Sequence, residues 1–255
     1  MNIWEYQKTT ESSTPCVLVT GSSRGIGRSC ALAFARHGWH VFLNCRSSLK
    51  ELQNVASEIE KDGHGQYTLV PGDVGRPEEV RRIFEQIYGT VPCLDLLINN
   101  AGISHIGLFT DMTDDLWNRM IQTNLSSVFY CSRATLPSMI SRKKGKIINI
   151  SSMWGTVGAS CEVAYSAAKS GIHGLTRALA KELAPSNIQV NTIACGAIDT
   201  AMNAQLSPEE RLALEEDIPA CRFGTPEEVA SLAWDLAHAP AYMTGQIIGI
   251  DGGYI

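Results

Sequence analysis

Seven short apolar runs, at residues 16–20, 41–45, 67–70, 94–98, 146–150, 188–193 and 246–250, alternate with helix-like segments at a steady beat. Runs this short and this continuously apolar suit strands buried on both faces, as in a parallel sheet. The helices between them have readable ends. Over Leu49–Asp62, the residues Leu49, Leu52, Val55, Ala56 and Ile59 recur at helical spacing, and Gly63 stands where a C-terminal glycine stops a helix. A further helix is expected over 28–37. Ser207-Pro208-Glu209-Glu210 and Thr225-Pro226-Glu227-Glu228 each combine an N-cap, a first-turn proline and a capping-box glutamate. Strand, helix and strand in regular alternation imply right-handed crossovers, so the expected fold is α/β: a single domain over 16–255 built on a seven-stranded, doubly wound parallel sheet.

The chain's 255 residues suffice for such a core, and 26 acidic against 21 basic side chains, net charge -5, describe a mixed surface. Neither a nucleic-acid-binding patch nor an acidic tail is implied. No apolar stretch approaches the roughly 18–20 residues of a membrane span, and residues 1–15 lack the apolar region of a secretory signal. Those polar residues are expected to form a flexible extension, with Trp4 and Tyr6 unplaced. The eight cysteines (Cys16, Cys30, Cys45, Cys93, Cys131, Cys161, Cys195 and Cys221) show no C-x-x-C pair and no metal-ligand spacing. They read as small hydrophobes in a reducing, cytoplasmic setting, with no metal site.

In a doubly wound sheet, ligands collect beyond the carboxyl ends of the strands. The first such loop reads Thr20-Gly21-Ser22-Ser23-Arg24-Gly25-Ile26-Gly27 and opens a helix. Its three glycines let the backbone turn tightly and approach a pyrophosphate, to which a helix N-terminus offers unpaired N–H groups. The spacing is G-x-x-x-G-x-G, not the general G-x-G-x-x-G. With the preceding threonine, this variant resembles the short-chain dehydrogenase/reductase family, which implies a Rossmann fold and a nicotinamide cofactor. NAD-using enzymes usually place a carboxylate on the ribose 2′-hydroxyl at the end of the second strand, where this chain has Cys45 and Arg46. Arg24 and Arg46 would bracket a 2′-phosphate with no acid to repel it, so NADP(H) is expected. The resemblance further implies that Gly21, Ser23, Gly25, Ile26 and Gly27 line the cofactor. It puts Asp73 and Val74 at the adenine and Ile198 and Thr200 on the carboxamide, and it makes Asn100, Ala101 and Gly102, in the family's N-N-A-G motif, cofactor-binding residues.

Tyr165-Ser166-Ala167-Ala168-Lys169 sets a phenol and an ammonium four residues apart, on one helical face. A phenol titrates near 10, and a neighbouring positive charge favours the phenolate, so the pair suits a tuned general acid. Ser152 precedes Tyr165 by thirteen residues and Asn124 precedes it by forty-one. These spacings match the family's Asn, Ser, Tyr, Lys tetrad. The resemblance therefore implies hydride transfer to a ketone, with Tyr165 protonating the developing alkoxide and Ser152 hydrogen-bonding it. Lys169 would hold the nicotinamide ribose and depress the tyrosine's pKa, and Asn124 would anchor a relay water. The family's Pro-Gly is Cys195-Gly196 here, which puts the rigidity of that turn in question.

Two groups within the family share more with this chain. The 3-oxoacyl-acyl-carrier-protein reductases are expected to dock an acidic acyl carrier protein on basic side chains, for which Arg142, Lys143, Lys144 and Lys146 are candidates. The substrate-side loops, at 102–108, 151–163 and 196–202, resemble the elongation factor P 5-aminopentanone reductases of Gram-positive bacteria, whose ketone carries a cationic amine. Glu162, one helical turn before Tyr165, would attract that ammonium. Met153, Trp154 and Met202 would shape the pocket, with Trp154 offering a ring face to the cation. Segment 202–217 resembles a substrate-covering lid, with Leu206, Leu212 and Leu214 available to face an apolar pocket. The family also implies a homotetramer. A small hydroxysteroid-like ketone, or a non-catalytic NADP-binding sensor, completes the range of expected functions.

Overall fold

The computed structural model describes residues 14–204 and 206–255. The expected flexible extension, with Trp4 and Tyr6, lies outside the described residues except for Thr14 and Pro15. All seven apolar runs are strands: β1 (Cys16–Val19), β2 (His40–Leu43), β3 (Gln66–Leu69), β4 (Leu96–Asn99), β5 (Gly145–Ser152), β6 (Ile188–Cys195) and β7 (Ile247–Ile250). They form one sheet in the order β3-β2-β1-β4-β5-β6-β7, every neighbouring pair parallel. Alternate residues enter opposite cores. Val17, Val19, Val41, Leu43, Leu96 and Ile98 face one, while Leu18, Phe42 and Leu97 face the other. Each such side chain contributes roughly 1.5–3 kcal/mol by leaving water. The edge strands depart from the expectation, since β3 and β7 are only partly buried.

Helices α1 (Gly25–Arg36), α2 (Leu49–Asp62) and α9 (Pro226–His238) cover the first core, and α3 (Pro77–Thr90), α5 (Ser127–Arg142) and α7 (Val163–Leu183) the second. Shorter helices α4 (Asp114–Ile121), α6 (Trp154–Val157) and α8 (Pro208–Asp217) sit in the loops after strands. Helix α2 has the expected bounds and ends on Gly63 at φ 71°, although Leu49 is 48% exposed and only Leu52, Val55, Ala56 and Ile59 are buried. Helix α1 starts three residues earlier than expected, inside the glycine loop. Both predicted capping boxes form: Ser207 and Thr225 each accept from the backbone N–H of the glutamate three residues on, at 3.2 Å, and each glutamate returns the bond at 2.8 Å.

Chain order reverses between β1 and β4, which opens the crevice where a doubly wound sheet binds its ligand. Beneath it runs a buried polar ladder in strand register. Asn99 donates to Asn149 (2.9 Å), Asn149 to Thr176 (2.9 Å), and Thr176 shares a 2.7 Å bond with Thr192. Asn99, first of the Asn-Asn pair, is thereby a cross-link between strands. A π-helical turn over Gln122–Ser126 joins α4 to α5 and carries Asn124. Such turns re-aim a side chain by inserting one residue into the helix. Among the described residues no helix is long and apolar enough to cross a membrane.

Candidate active site

The predicted cofactor segments converge through their glycines. Gly21 (φ +65°) lies so close to the loop after β4 that a Cβ would come within 3.0 Å of the Ala101 Cα. A Cβ on Gly25 (φ +53°) would lie 3.3 Å from Thr200 Cγ2, and one on Gly27 would collide with the Gly21 carbonyl and the Asn100 amide. Thr20 Oγ1 accepts from the N–H groups of Asn100 (2.9 Å) and Ala101 (3.0 Å), while the Asn100 side chain donates to the carbonyls of Thr20 (2.9 Å) and Gly21 (3.1 Å). Asn100 thus braces the loop with its own amide. Unlike α3, α4, α8 and α9, helix α1 has no acidic residue in its first turn, and no side chain caps it. Its N-terminal positive potential is left for an anion, and the glycine cradle admits backbone-close approach, so these residues fit a dinucleotide.

A residue the sequence reading missed holds this loop in place. Asn44, 1% exposed just after β2, accepts from Gly21 N–H (3.3 Å) and donates to the carbonyls of Val70 (2.9 Å) and Gly72 (3.1 Å). Its own backbone exchanges bonds with Ser22 Oγ at 2.9 and 3.2 Å. One side chain therefore joins the ends of β1, β2 and β3. Beside it, Arg24 and Arg46 are exposed, and neither has an ion-pair partner among the described residues. Arg46 lines a cleft of about 390 Å³ with Asp73, Arg76, Asp115 and Arg119. Arg119, from α4, was not anticipated. Val74, Ser23 and Ile198 are buried, and Ile198 is fixed by a bridge to Gly224.

The four tetrad residues also meet. Ser152 ends β5, Tyr165 and Lys169 face it from α7, and Gly102 links Lys169 to the fourth member: a Cβ there would lie 2.8 Å from Asn124 Oδ1 and 3.7 Å from Lys169 Nζ. Asn124 is fully buried. Its amide donates to the carbonyls of Ile103 and Met120, both at 3.0 Å, and its oxygen accepts from Ile103 N–H at 3.1 Å. With both amide protons committed to the protein, the side chain clasps the loop after β4 instead of offering its N–H groups to a water.

Burial pushes the Tyr165 phenol above its ordinary range, Cys195 and Glu162 add to the rise, and a hydrogen bond with Ser152 pulls the other way. The expected depression by Lys169 is not what the structure has. Lys169 Nζ donates to the Ile150 carbonyl at 3.0 Å and stands 5.4 Å from the centre of the Tyr165 ring. Burial lowers the lysine itself to about 8, with Cys195 pulling it back up. Desolvation of the phenol prevails over an ammonium bonded elsewhere. The Cys195 thiol is pushed up to about 12 by burial, so it is neutral. Its turn is held without the family's proline: Gly196 N–H donates to Ile250 O at 2.9 Å, and Gly196 lies so close to Asp251 Cα that a Cβ would come within 2.6 Å.

On the substrate side, Glu162 stands at the N-terminal cap position of α7, where its side chain makes no hydrogen bond to the helix; its half-burial raises its pKa, while a hydrogen bond from the Trp154 side chain lowers it. No cationic side chain lies within ion-pair distance of it among the described residues. Met153 is buried and anchored to Cys195 O at 2.8 Å, so its side chain belongs to the core more than to an open pocket. Met202 is 41% exposed at the rim. In the expected lid, no residue of α8 is fully buried: Leu212 is 57% exposed and Leu214 half-buried, as is Leu206 just before the helix.

The basic cluster ahead of β5 lies at the opposite end of that strand from Ser152, some 20 Å away at ~3.3 Å per residue. Arg142 there pairs with Asp95 (3.0 Å), and Lys146 caps α9 through Ala239 O (2.7 Å), so neither stands at the site's mouth. Six of the cysteines are buried as expected, but Cys161 is half-buried and Cys221 exposed.

The family model for short chain dehydrogenases matches residues 15–211. The uncharacterized oxidoreductase YmfI of Bacillus subtilis is 36% identical over 238 residues, which is 93% of this chain and 97% of that protein. The 3-oxoacyl-[acyl-carrier-protein] reductase FabG of Staphylococcus aureus is 38% identical over 241 residues, 94% of this chain and 98% of its own. The crystal structure of a short-chain type dehydrogenase/reductase from Mycobacterium marinum superposes with a TM-score of 0.89 at 36% identity, covering 94% of this chain and 95% of that one.

Proposed function

The chain belongs to the short-chain dehydrogenase/reductase family, and from that premise we propose that it is an NADPH-dependent reductase of a ketone bearing a cationic amine, such as the 5-aminopentanone carried on elongation factor P. The observation that carries this reading is Glu162: a half-buried carboxylate, without a cationic partner among the described residues, close enough to Tyr165 to raise its pKa. An ammonium seated there would regain for the carboxylate what burial removes, whereas an acyl phosphopantetheine would not.

Arg24 and Arg46 hold the 2′-phosphate, the glycine loop the pyrophosphate, and Asp73 and Val74 the adenine. Tyr165 and Lys169 hold the nicotinamide ribose, and Ile198 and Thr200 the carboxamide. When bound, the reduced nicotinamide supplies hydride. Tyr165, protonated at neutral pH as any phenol is and raised further by its burial, donates its proton to the carbonyl oxygen as negative charge builds there. Ser152 donates a second hydrogen bond to the same oxygen. Lys169, cationic below about 8, stabilises the phenolate left behind. Asn124 keeps Gly102 and Ile103 in place beside them.

A second reading, 3-oxoacyl-acyl-carrier-protein reduction, is favoured by the 38% identity to the staphylococcal enzyme. The position of residues 142–146 and the charge of Glu162 count against it. Phe129 and Ile140 are exposed on α5, apolar side chains that the homotetramer implied by the family would have reason to cover. The deciding assay follows NADPH oxidation by the purified protein with aminopentanone-modified elongation factor P beside a 3-oxoacyl thioester. Turnover of the first, lost in Tyr165→Phe, is expected. Preference for the thioester would overturn the substrate reading, and tight NADPH binding without turnover of either would favour a sensor.

A further inference from the structure

The chain's last residues are built into the substrate side of the site. After β7, Gly252 (φ +68°) and Gly253 (φ +85°) turn the backbone, and Gly253 N–H donates to Asp251 Oδ1 at 2.9 Å. The turn is pressed against the segment that follows α8. Ala220 N–H donates to Gly252 O at 3.0 Å, and a Cβ on Gly252 would come within 2.8 Å of Ile218 Cγ2 and 3.0 Å of Ala220 Cβ. Two left-handed backbone positions in succession, one of them without room for a side chain, define the direction in which the next residue leaves.

That residue is Tyr254, and it meets Trp154. Their ring centres are 6.0 Å apart and their planes 78° apart, the edge-to-face arrangement that aromatic quadrupoles favour. Trp154 in turn is fixed at both ends. Its backbone N–H donates to Ser152 Oγ at 3.2 Å, and its side chain hydrogen-bonds Glu162. The result is a continuous row, Tyr254 to Trp154 to Glu162, running from the chain terminus to a carboxylate beside the catalytic phenol. The Trp154 ring, held at a near right angle by Tyr254, and the Glu162 carboxylate form a corner in which the indole attracts a cation by its face and the carboxylate by its charge.

We propose that Tyr254 is a specificity-determining residue: by holding Trp154 edge to face, it completes with Glu162 a corner that takes the alkylammonium head of the substrate. The charge of the ligand rests on the reading of an amine-bearing ketone given above. Tyr254 acts through Trp154, so it is a positioning residue, and its effect belongs in KM for the charged substrate.

The test compares Tyr254→Ala and Tyr254→Phe with the unaltered protein on two ketones of equal length, one ending in a primary ammonium and the other in a methyl group. The expected result for Tyr254→Ala is a roughly tenfold rise in KM for the ammonium ketone, with kcat and the neutral ketone little changed. Tyr254→Phe keeps the ring and should restore the preference. Thermal unfolding of each variant monitors folding. An equal loss on both ketones, or a preference that survives whole in Tyr254→Ala, overturns the proposal while the amine reading stands. If the unaltered protein does not prefer the ammonium ketone, the amine reading falls and this proposal falls with it.

Discussion

Lys169 points its ammonium at the Ile150 carbonyl, 3.0 Å away, while the centre of the Tyr165 ring lies 5.4 Å from the same nitrogen. The lysine is therefore held by the sheet and poised near the phenol. Its burial brings it to about 8, so it is the group of the pair that titrates close to neutrality. A lysine with a lowered pKa keeps its charge below that value and loses it as pH rises through it. Reduction needs the cation, because Tyr165 becomes a phenolate when it gives up its proton. The kcat/KM for ketone reduction should be nearly flat through neutrality and fall as pH climbs past about 8. In Lys169→Arg, whose guanidinium does not titrate in this range, the alkaline fall should disappear even if the rate is lower. A fall that persists in that variant would assign it to another group.

The alternation of apolar runs was enough to find all seven strands, because a buried parallel strand needs a run of apolar residues that a surface segment does not. The tetrad was legible through the family resemblance, its intervals running over α5 and β5 from Asn124 to Ser152, over the β5–α7 connection from Ser152 to Tyr165, and over one turn of α7 from Tyr165 to Lys169. What escaped were features made by one residue in three dimensions. Asn44 follows an apolar strand and looks like its polar end, yet its amide bonds three groups in the two loops that follow β1 and β3. The π-helical turn at Asn124 adds one residue to a helix without any compositional mark. Tyr254 meets Trp154 across a hundred residues of sequence. The misplacement of Arg142 and Lys146 is different in kind. A residue just before a parallel strand lies at its amino end, so strand polarity already excluded them from the mouth.

Asn44→Ala should loosen the glycine loop. The substitution removes three side-chain hydrogen bonds, leaving the buried Val70 carbonyl and the half-buried Gly72 carbonyl without that partner, a cost of roughly 2–4 kcal/mol. Because Gly21 N–H is one of the partners, the loss should appear twice: as a lower denaturation midpoint, and as weaker NADPH binding in a fluorescence titration. Destabilisation with an unchanged Kd for NADPH would mean that the loop keeps its shape through Asn100 and Thr20 alone.

Arg46 and Arg119 look into the same cleft from different elements. Arg46→Asp should move cofactor preference from NADPH toward NADH by on the order of 10- to 100-fold, the effect of losing one charge-assisted contact and gaining a repulsive one. Arg119→Ala should weaken NADPH binding by less and leave NADH binding as it was. Calorimetry with 2′,5′-ADP against 5′-AMP isolates the phosphate from catalysis. An unchanged ratio in Arg46→Asp would locate the phosphate elsewhere.

Asp95→Ala separates stability from activity. Asp95 Oδ1 pairs with Arg142 at 3.0 Å, with the two side chains only 18% and 15% exposed, and its other oxygen accepts from Cys16 N–H at 2.9 Å. Removing the carboxylate leaves a largely buried guanidinium with the Leu94 carbonyl as its remaining partner, which should cost about 3 kcal/mol or somewhat more. Most of that cost comes from the stranded charge, so the double variant Asp95→Ala with Arg142→Met should be more stable than Asp95→Ala alone. Asp95→Asn, which keeps the shape and an acceptor, should fall between. All of this happens at the amino end of β5, about 20 Å along the strand from Ser152. The folded fraction of each variant should therefore retain its kcat, and acyl carrier protein should bind none of them differently from the unaltered chain. A drop in kcat that follows the stability loss would mean that strain at the amino end of β5 is transmitted through the buried Asn99, Asn149 and Thr192 ladder to the serine at the other end.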